Sequence, residues 1–260
     1  WFLRKFGTAP SPWEPDTLDA RLQGNIAHSV FETIFPVEGE PFDISKVEEI
    51  VDAALLDAIR KEAPLMTNAQ WKVERNVLRS TLVQAVLHWR SVLEHLNARV
   101  VGAEKSLSGE FNGMPTKGYS DEVIQLPEGT LLVVDFKKSG SSKRRDRMEL
   151  GYDCQVSLYE QMISAGIGDG TLDARSKKSG LVYFTLNDQR VVSDQKSGLS
   201  NQTPGLLVVS GDVSANALRE ITENMNKLRK GVIELNHEGD DTRLEKQKAL
   251  PSFALDISPL

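Results

Sequence analysis

The stretch between residues 100 and 137 constrains the fold more than any other part of this 260-residue chain. It contains three strand-like segments, at residues 100–111, 116–125 and 130–137. They are separated by Asn112-Gly113 and by Leu126-Pro-Glu-Gly129. Asn-Gly is a strong signal for a tight hairpin, and Pro-Glu-Gly is also typical of turns. The pattern therefore predicts an antiparallel β-meander.

The two turns also predict which side chains lie opposite each other. The first turn places Glu104 opposite Asp121, and the second places Asp121 opposite Asp135. Three neighbouring carboxylates repel one another, so they must take up a proton or hold a cation. Oxygen donors favour a hard divalent ion. The row therefore predicts a site for Mg²⁺ or Mn²⁺.

Lys137 lies two residues after Asp135 and therefore projects from the same face of the strand. Asp135 ends the apolar run at residues 131–134, where an unpartnered charge is costly. A metal, a lysine and carboxylates together suit hydrolysis of a phosphodiester, because the metal activates a bound water and the lysine positions or helps deprotonate it. The alternative is that these residues are solvated charges at strand ends.

Apolar periodicity places helices on both sides of the meander. Before it, helices are predicted at residues 17–36, 44–63 and 68–97, so residues 44–98 form a helical insert. After it, we expect helices at residues 151–165 and 215–235 and strands at residues 180–186 and 205–210. Residues 139–147 are expected to form a polar basic loop, and residues 188–204 are also expected to be loop-like.

The average charge of the chain is acidic, with 31 Lys+Arg, 37 Asp+Glu and a formal net charge of −6. That average argues against a general nucleic-acid binder. Any DNA binding by this domain alone is therefore expected to be weak and sensitive to salt. The cations are nevertheless concentrated after the third strand, as Lys137, Lys138, Lys143, Arg144, Arg145 and Arg147. This cluster predicts a phosphate-contacting loop, the alternative being an ordinary solvated charge run.

The single cysteine, Cys154, excludes an internal disulfide framework and a cysteine-rich metal site within these residues. No apolar run approaches the roughly 18 residues that a membrane span needs. We therefore expect a cytoplasmic protein with no membrane partner. The chain begins at Trp1 and has no obvious closing element, so we expect residues 1–260 to be one domain cut from a longer protein.

Four motifs together resemble the core of the PD-(D/E)XK nucleases, and most closely the RecB-like branch that includes the RecB and AddB helicase–nucleases. They are Gly24-Asn-Ile-Ala-His28, Gly118-Tyr-Ser-Asp121, Val134-Asp-Phe-Lys137 and Gln155-Val-Ser-Leu-Tyr159. The resemblance implies an α/β fold in which a mixed sheet, flanked by helices, has an antiparallel meander followed by a parallel strand. Residues 100–187 would be the catalytic core, and residues 205–260 a C-terminal strand, helix and tail.

The resemblance also implies metal ligands. They would be His28, Asp121, Asp135 and the backbone carbonyl of Phe136. For His28 the alternative is a structural residue of the helix core.

Lys137 would be the catalytic lysine, and Glu104 would help to position metal or water. Gln155 and Tyr159 would line the site and help to place the DNA strand, unless they are helix surface and core edge. Glu110 and Glu122 are expected to be solvated neighbours of the carboxylate row.

The function that the resemblance implies is a metal-dependent DNA exonuclease acting on ends or single strands, with a helicase in cis or as a subunit of a repair system. The alternatives are an inactive DNA-end-binding or scaffolding module and a stand-alone exonuclease of phage or mobile-element origin. Many AddB-like nucleases also hold an iron–sulphur cluster through four cysteines. With Cys154 alone, that cluster is not possible within this chain, and the question stays open for a parent protein.

Overall fold

The computed structural model describes residues 18, 20–39, 41–151, 153–164, 178–211 and 213–232. The predicted C-terminal tail and the start of the first predicted helix lie outside the described residues.

Helices α1 (Ala20–Ile34), α2 (Val47–Glu62) and α3 (Lys72–Leu96) precede the sheet. Each follows the apolar periodicity of the sequence. In α1 the residues that recur every fourth position are buried, which gives the helix one face for the core. Ala63 caps the C-terminus of α2, directly before Pro64, and Asn97 caps the C-terminus of α3 in a left-handed conformation.

Within the described residues, six strands form one sheet in chain order. They are β1 (Arg99–Phe111), β2 (Met114–Gln125), β3 (Leu131–Lys137), β4 (Ser179–Thr185), β5 (Arg190–Asp194) and β6 (Leu206–Val209). The β3–β4 and β5–β6 pairs are parallel and the others antiparallel. The predicted α/β class with a mixed sheet is confirmed. Strand β5 lies where a loop was expected, because only two apolar residues mark this short segment.

Helices α4 (Ser141–Glu149) and α5 (Gln155–Ser164) connect β3 to β4, and α6 (Val213–Arg229) follows β6. The sheet separates two apolar cores. Leu132 and Val134 of β3 belong to the core that α1, α2 and α3 cover, whereas Leu131 and Val133 belong to the core that contains residues of α5. Strand β3 is apolar throughout its first four residues because it is buried on both faces.

The predicted hairpin registers are also confirmed. Ala103 pairs with Glu122 and Lys105 pairs with Ser120, so Glu104 and Asp121 lie between matched pairs. The β2–β3 pairs run as predicted up to Glu122 and Val134. The next residues along these strands are Asp121 and Asp135.

Among the helices that the structure describes, none combines the length and the apolar character that crossing a membrane requires.

Candidate active site

Asp121 occupies the point where β2 and β3 separate. The strand pairs end at Glu122 and Val134. The Oδ2 atom of Asp121 then accepts a 2.7 Å hydrogen bond from the backbone N–H of Phe136. A side chain thus replaces the next backbone contact of the sheet, and this bond holds the Asp121 carboxylate beside the carboxyl end of β3.

Helix α1 contributes His28 to the same place. Its Nδ1 lies 3.2 Å from Asp121 Oδ1, and its Nε2 lies 2.9 Å from the carbonyl oxygen of Phe136. Burial alone would lower the pKa of His28. The hydrogen bond to Asp121 and the charges of Asp121 and Asp135 outweigh burial, so the pKa is raised. The imidazole therefore lies where positive charge is favoured.

Asp135 is fully buried at the end of β3, and Lys137 is half-buried beside it. Lys137 Nζ lies 2.5 Å from Asp135 Oδ2. The other oxygen, Oδ1, has no hydrogen-bond partner among the described residues. Burial, and then the charge of Asp121, raise the pKa of Asp135 to about 6, against the opposing effect of Lys137.

Glu104 brings a third carboxylate to the cluster from β1. His28, Glu104 and Asp121 each offer one ligand atom, and these three atoms lie within 4.8 Å of one another. Asp135 is not part of this trio, and its Oδ2 lies beside Lys137. Partial burial, followed by the charge of Asp121, raises the pKa of Glu104. The carboxylates therefore destabilise one another when all are ionised.

These residues fit a divalent cation. The buried oxygen of Asp135 has no hydrogen-bond donor, and a buried carboxylate in that state is costly unless a cation compensates it. The available donors are carboxylate oxygens, a backbone carbonyl and one imidazole, a set typical of a hard metal ion. His28, Asp121 and Asp135 would hold the ion, with the carbonyl of Phe136 and the carboxylate of Glu104 close to them.

Helix α5 supports Lys137 from the other side. Lys137 Nζ donates a 3.2 Å hydrogen bond to Gln155 Oε1, and Gln155 Nε2 donates to Tyr159 Oη at 3.2 Å. Tyr159 in turn packs on Gly118, where a Cβ atom would lie 2.2 Å from the tyrosine Cε1. Glycine at this position therefore allows the tyrosine, and through it Gln155 and Lys137, to be held beside β2.

The basic segment after β3 is not the polar loop that was expected. Residues from Ser141 onward form helix α4. Asp188 organises the start of this helix, because its Oδ2 accepts hydrogen bonds from the Ser141 backbone N–H at 2.9 Å and from the Ser141 hydroxyl at 2.6 Å. Asp188 lies 47 residues from Ser141 in sequence, so the local pattern around Ser141 does not predict this cap.

Arg144 is also not the exposed phosphate contact that was predicted. It is buried, forms an ion pair with Asp153, and places its Cζ 4.7 Å from the ring centroid of Tyr183. Lys138 donates to the side-chain oxygen of Asn187. Of the predicted contacts, Lys143 is exposed, while Arg145 is ion-paired to neighbouring acids and Arg147 is half-buried.

Glu122 contradicts the expectation of a solvated side chain. It is 2% exposed and accepts a 3.3 Å hydrogen bond from the indole N–H of Trp89. Burial raises its pKa to about 8, with a further contribution from the charge of Asp121. The side chain therefore carries a proton at neutral pH. Glu110 is exposed, as expected.

The mixed sheet, with its carboxylates and lysine at the end of β3, has the architecture of an α/β nuclease. A model of the PD-(D/E)XK nuclease superfamily matches residues 1–244, and the chain belongs to that superfamily. Membership implies an interaction with nucleic acid. Nucleases of this superfamily use divalent metals, in keeping with the cluster of His28, Glu104 and Asp121.

Two solved structures resemble the chain at low similarity. One is a protein from Eubacterium rectale named "Putative exonuclease", with 11% identity, coverage of 86% of this chain and 91% of that chain, and a TM-score of 0.42. The other is SSO0001, with 15% identity, coverage of 81% and 88%, and a TM-score of 0.25. At these values neither likeness bears on what this chain does. No curated protein matches the sequence significantly.

Proposed function

We propose that the chain is a Mg²⁺- or Mn²⁺-dependent deoxyribonuclease that hydrolyses phosphodiesters. One observation carries the proposal: Asp121 and Asp135 come from different strands, yet Asp121 is hydrogen-bonded to the backbone of Phe136 and its charge acts on Asp135, which pairs with Lys137 at the end of β3. Two like charges at this depth are costly without a cation. Their pairing with a lysine is an arrangement that suits phosphodiester hydrolysis.

When bound, the metal would supply an activated water and neutralise charge on the phosphate. The chain's own residues have three tasks. His28, Asp121 and Asp135, with the Phe136 carbonyl, would bind the ion. Lys137, held by Gln155, would present its ammonium group to the attacking water or a phosphate oxygen. Tyr159 would maintain the position of Gln155 by the hydrogen bond between them.

Assignment to the RecB-like branch is the finer part of the proposal. Two features support it. The motif histidine lies against Asp121 and the carbonyl of Phe136, and the Gln155 and Tyr159 pair lies against Lys137. We accordingly propose an exonuclease that acts on DNA ends in a repair or recombination system. A helicase in cis or in a partner subunit would supply strands and much of the affinity, because the net charge of −6 limits binding by this chain alone.

The proposal is tested by incubating the protein with linear and covalently closed circular DNA in Mg²⁺, in Mn²⁺ and in a chelator. We expect degradation of linear DNA in either metal and none in the chelator. Resistance of circular DNA would establish the need for an end. End-labelled substrates would then give the polarity.

Lys137→Ala is the matched inactive variant, and Lys72→Ala is the control for an exposed lysine remote in sequence from the cluster. Loss of cleavage in the first variant and retention in the second would tie the activity to this site. Equal cleavage by both variants would attribute it to a contaminant. Binding of ends by an intact but inactive wild-type protein would instead favour the scaffolding alternative.

A further inference from the structure

The hairpin of β1 and β2 extends beyond the point where β2 leaves β3, and we call residues 104–121 the ribbon. Exposure alternates along it, so it has two distinct faces. The inner face includes Leu107, Gly118 and Ser120, which are buried or partly buried. The outer face consists of Glu104, Ser106, Ser108, Glu110, Lys117, Tyr119 and Asp121, all exposed except the half-buried Asp121.

Helix α5 covers the inner face. The ring of Tyr159 lies so close to Gly118 that any Cβ atom there would overlap it. The helix therefore occupies one side of β2, and Tyr119, the next residue along the strand, points to the other side. Among the residues that the structure describes, nothing comparable covers the outer face at Tyr119, which is exposed.

Tyr119 is a large aromatic side chain that is 51% exposed. The ammonium of Lys117 lies 5.4 Å from the ring centroid. Across the ribbon, Tyr119 pairs with Ser106, and Lys117 pairs with Ser108. Since both partners are small, they leave the tyrosine ring uncovered. An exposed cation–π contact contributes only about 0.5–1 kcal/mol, so a ligand can displace the lysine from the ring.

The outer face leads directly to the carboxylate cluster. Tyr119 precedes Asp121 by two residues, which is roughly 7 Å along a strand. Lys117 precedes Tyr119 by the same interval, so the three side chains succeed one another along the strand. The order along one face is therefore carboxylates, aromatic ring and cation, and the Lys117 side chain brings its ammonium back to within 5.4 Å of the ring centroid. A phosphodiester at Asp121 would leave its neighbouring base near the ring and the next phosphate near the lysine.

We propose that Tyr119 stacks on the base next to the scissile phosphodiester and that Lys117 contacts the following phosphate of the same strand. This inference rests on the proposed nuclease function and names its substrate as single-stranded nucleic acid or an unpaired end. A base within a duplex is already stacked and paired, so an open ring on a strand surface selects an unpaired base. Aromatic stacking is tolerant of sequence, so the site has no strong base preference.

The test compares a single-stranded oligonucleotide with a strand of the same length built from abasic nucleotides. Dissociation constants are measured by fluorescence anisotropy in Ca²⁺ with wild type, Tyr119→Ala, Tyr119→Phe, Lys117→Gln and Met114→Ala. Met114 is exposed at the tip of the same ribbon but lies away from the carboxylates, so its variant is the matched control.

We expect Tyr119→Ala to weaken binding of the ordinary strand about 10-fold and to leave binding of the abasic strand unchanged. Tyr119→Phe and Met114→Ala should bind both strands as wild type does. Lys117→Gln should weaken both strands and reduce the salt dependence of binding by about one phosphate contact. Equal affinities of wild type and Tyr119→Ala for the ordinary strand, or equal losses on both strands, would overturn the stacking site.

The two proposals fail separately in this design. Wild-type protein from the same preparation is also assayed for metal-dependent cleavage of linear DNA. A lack of cleavage refutes the nuclease proposal, whereas the comparison of ordinary and abasic strands decides the role of Tyr119 whether or not cleavage occurs. Because Tyr119 is exposed, both of its variants should unfold at the wild-type temperature, and this is checked by circular dichroism.

Discussion

Asp121 and Glu122 are adjacent residues with the same functional group and opposite environments. Asp121 meets an imidazole and a backbone N–H and lies close enough to Asp135 for their charges to interact. Glu122 meets the indole N–H of Trp89 in a core that excludes water. Carboxyl groups in the first region lie close to one another beside an imidazole and a lysine, an arrangement that a bound cation would stabilise. One in the second region is stable only as the acid, because a single neutral donor does not compensate for burial.

The difference shows that position relative to the end of β3, and not acidity of the sequence, separates candidate metal ligands from core carboxyls. Asp121 lies where β2 and β3 separate, whereas Glu122, the next residue, lies in the core that α3 covers. The comparison can therefore be tested directly by replacing each acid with its isosteric amide, Asp with Asn and Glu with Gln, which keeps the size of the side chain and removes its charge.

The largest difference is expected in activity. Asp121→Asn and Asp135→Asn should each reduce metal-dependent DNA cleavage on the order of 10³-fold, because each removes an anionic ligand from the cluster. Glu122→Gln should retain activity within about 3-fold, since the native carboxyl is already neutral at pH 7 and the amide oxygen can accept from Trp89. Initial rates on end-labelled DNA measure these values. A loss in Glu122→Gln as large as that in Asp135→Asn would erase the distinction between the two regions.

A smaller effect is expected in the pH dependence of stability. The pKa of Glu122 is raised to about 8 in the folded protein, so the folded state retains a proton that the unfolded chain loses above its ordinary pKa. The stability from this proton is present in full at acidic pH and is lost as pH rises to about 8. Relative to Glu122→Gln, wild type should lose a few kcal/mol, because each tenfold difference in proton affinity between the folded and unfolded states corresponds to about 1.4 kcal/mol.

Urea unfolding of the two proteins between pH 5 and pH 9, in a chelator, measures this difference. Parallel pH profiles for wild type and Glu122→Gln would show that Glu122 is ionised in the folded protein, contrary to the environment described above.

The smallest effect is expected in stabilisation by metal. The pKa of Asp135 is raised to about 6 and that of His28 is also raised, so protons occupy both groups at pH 5 and compete with a cation. Above pH 7 the ionised Asp135 destabilises the metal-free protein, and a bound ion reverses this. At pH 8, Mg²⁺ or Mn²⁺ at 100 times its dissociation constant should stabilise the fold by about 2.7 kcal/mol, with little effect at pH 5.

The midpoint of thermal unfolding, recorded with and without metal at both pH values, gives the measurement. Asp135→Asn is the control and should respond weakly to metal at either pH. An equal rise of the midpoint at pH 5 and pH 8, or an undiminished rise in Asp135→Asn, would locate the metal elsewhere.

Local sequence was sufficient for the part of the site that lies on the meander. Asn112-Gly113 and the Pro-Glu-Gly turn determine the register of three strands, and register determines which residues face each other. The apolar run before Asp135 identified a buried strand. These predictions succeeded because a tight turn and a two-residue side-chain period are properties of contiguous chain.

Local sequence was insufficient where a distant partner decides the environment. The buried Glu122 accepts a hydrogen bond from Trp89, 33 residues away, and the start of α4, where a basic loop was expected, is hydrogen-bonded to Asp188, 47 residues from Ser141. Asp153 and Tyr183 likewise turn Arg144 into the protein. A run of charged residues has no periodicity that reveals which member will be buried, so the sequence pattern does not predict these environments.

The amino-acid sequence by itself thus determined the α/β class, the meander and the adjacency of Asp121 and Asp135, because turns and alternation act over a few residues. The tertiary structure alone decided the environments of three charged residues. Asp121 lies beside an imidazole, Glu122 is buried with a proton, and Arg144 is buried with a counter-ion. The physical reason is that the cost of a charge depends on everything packed around it, and for these three residues the decisive contacts come from other helices and strands.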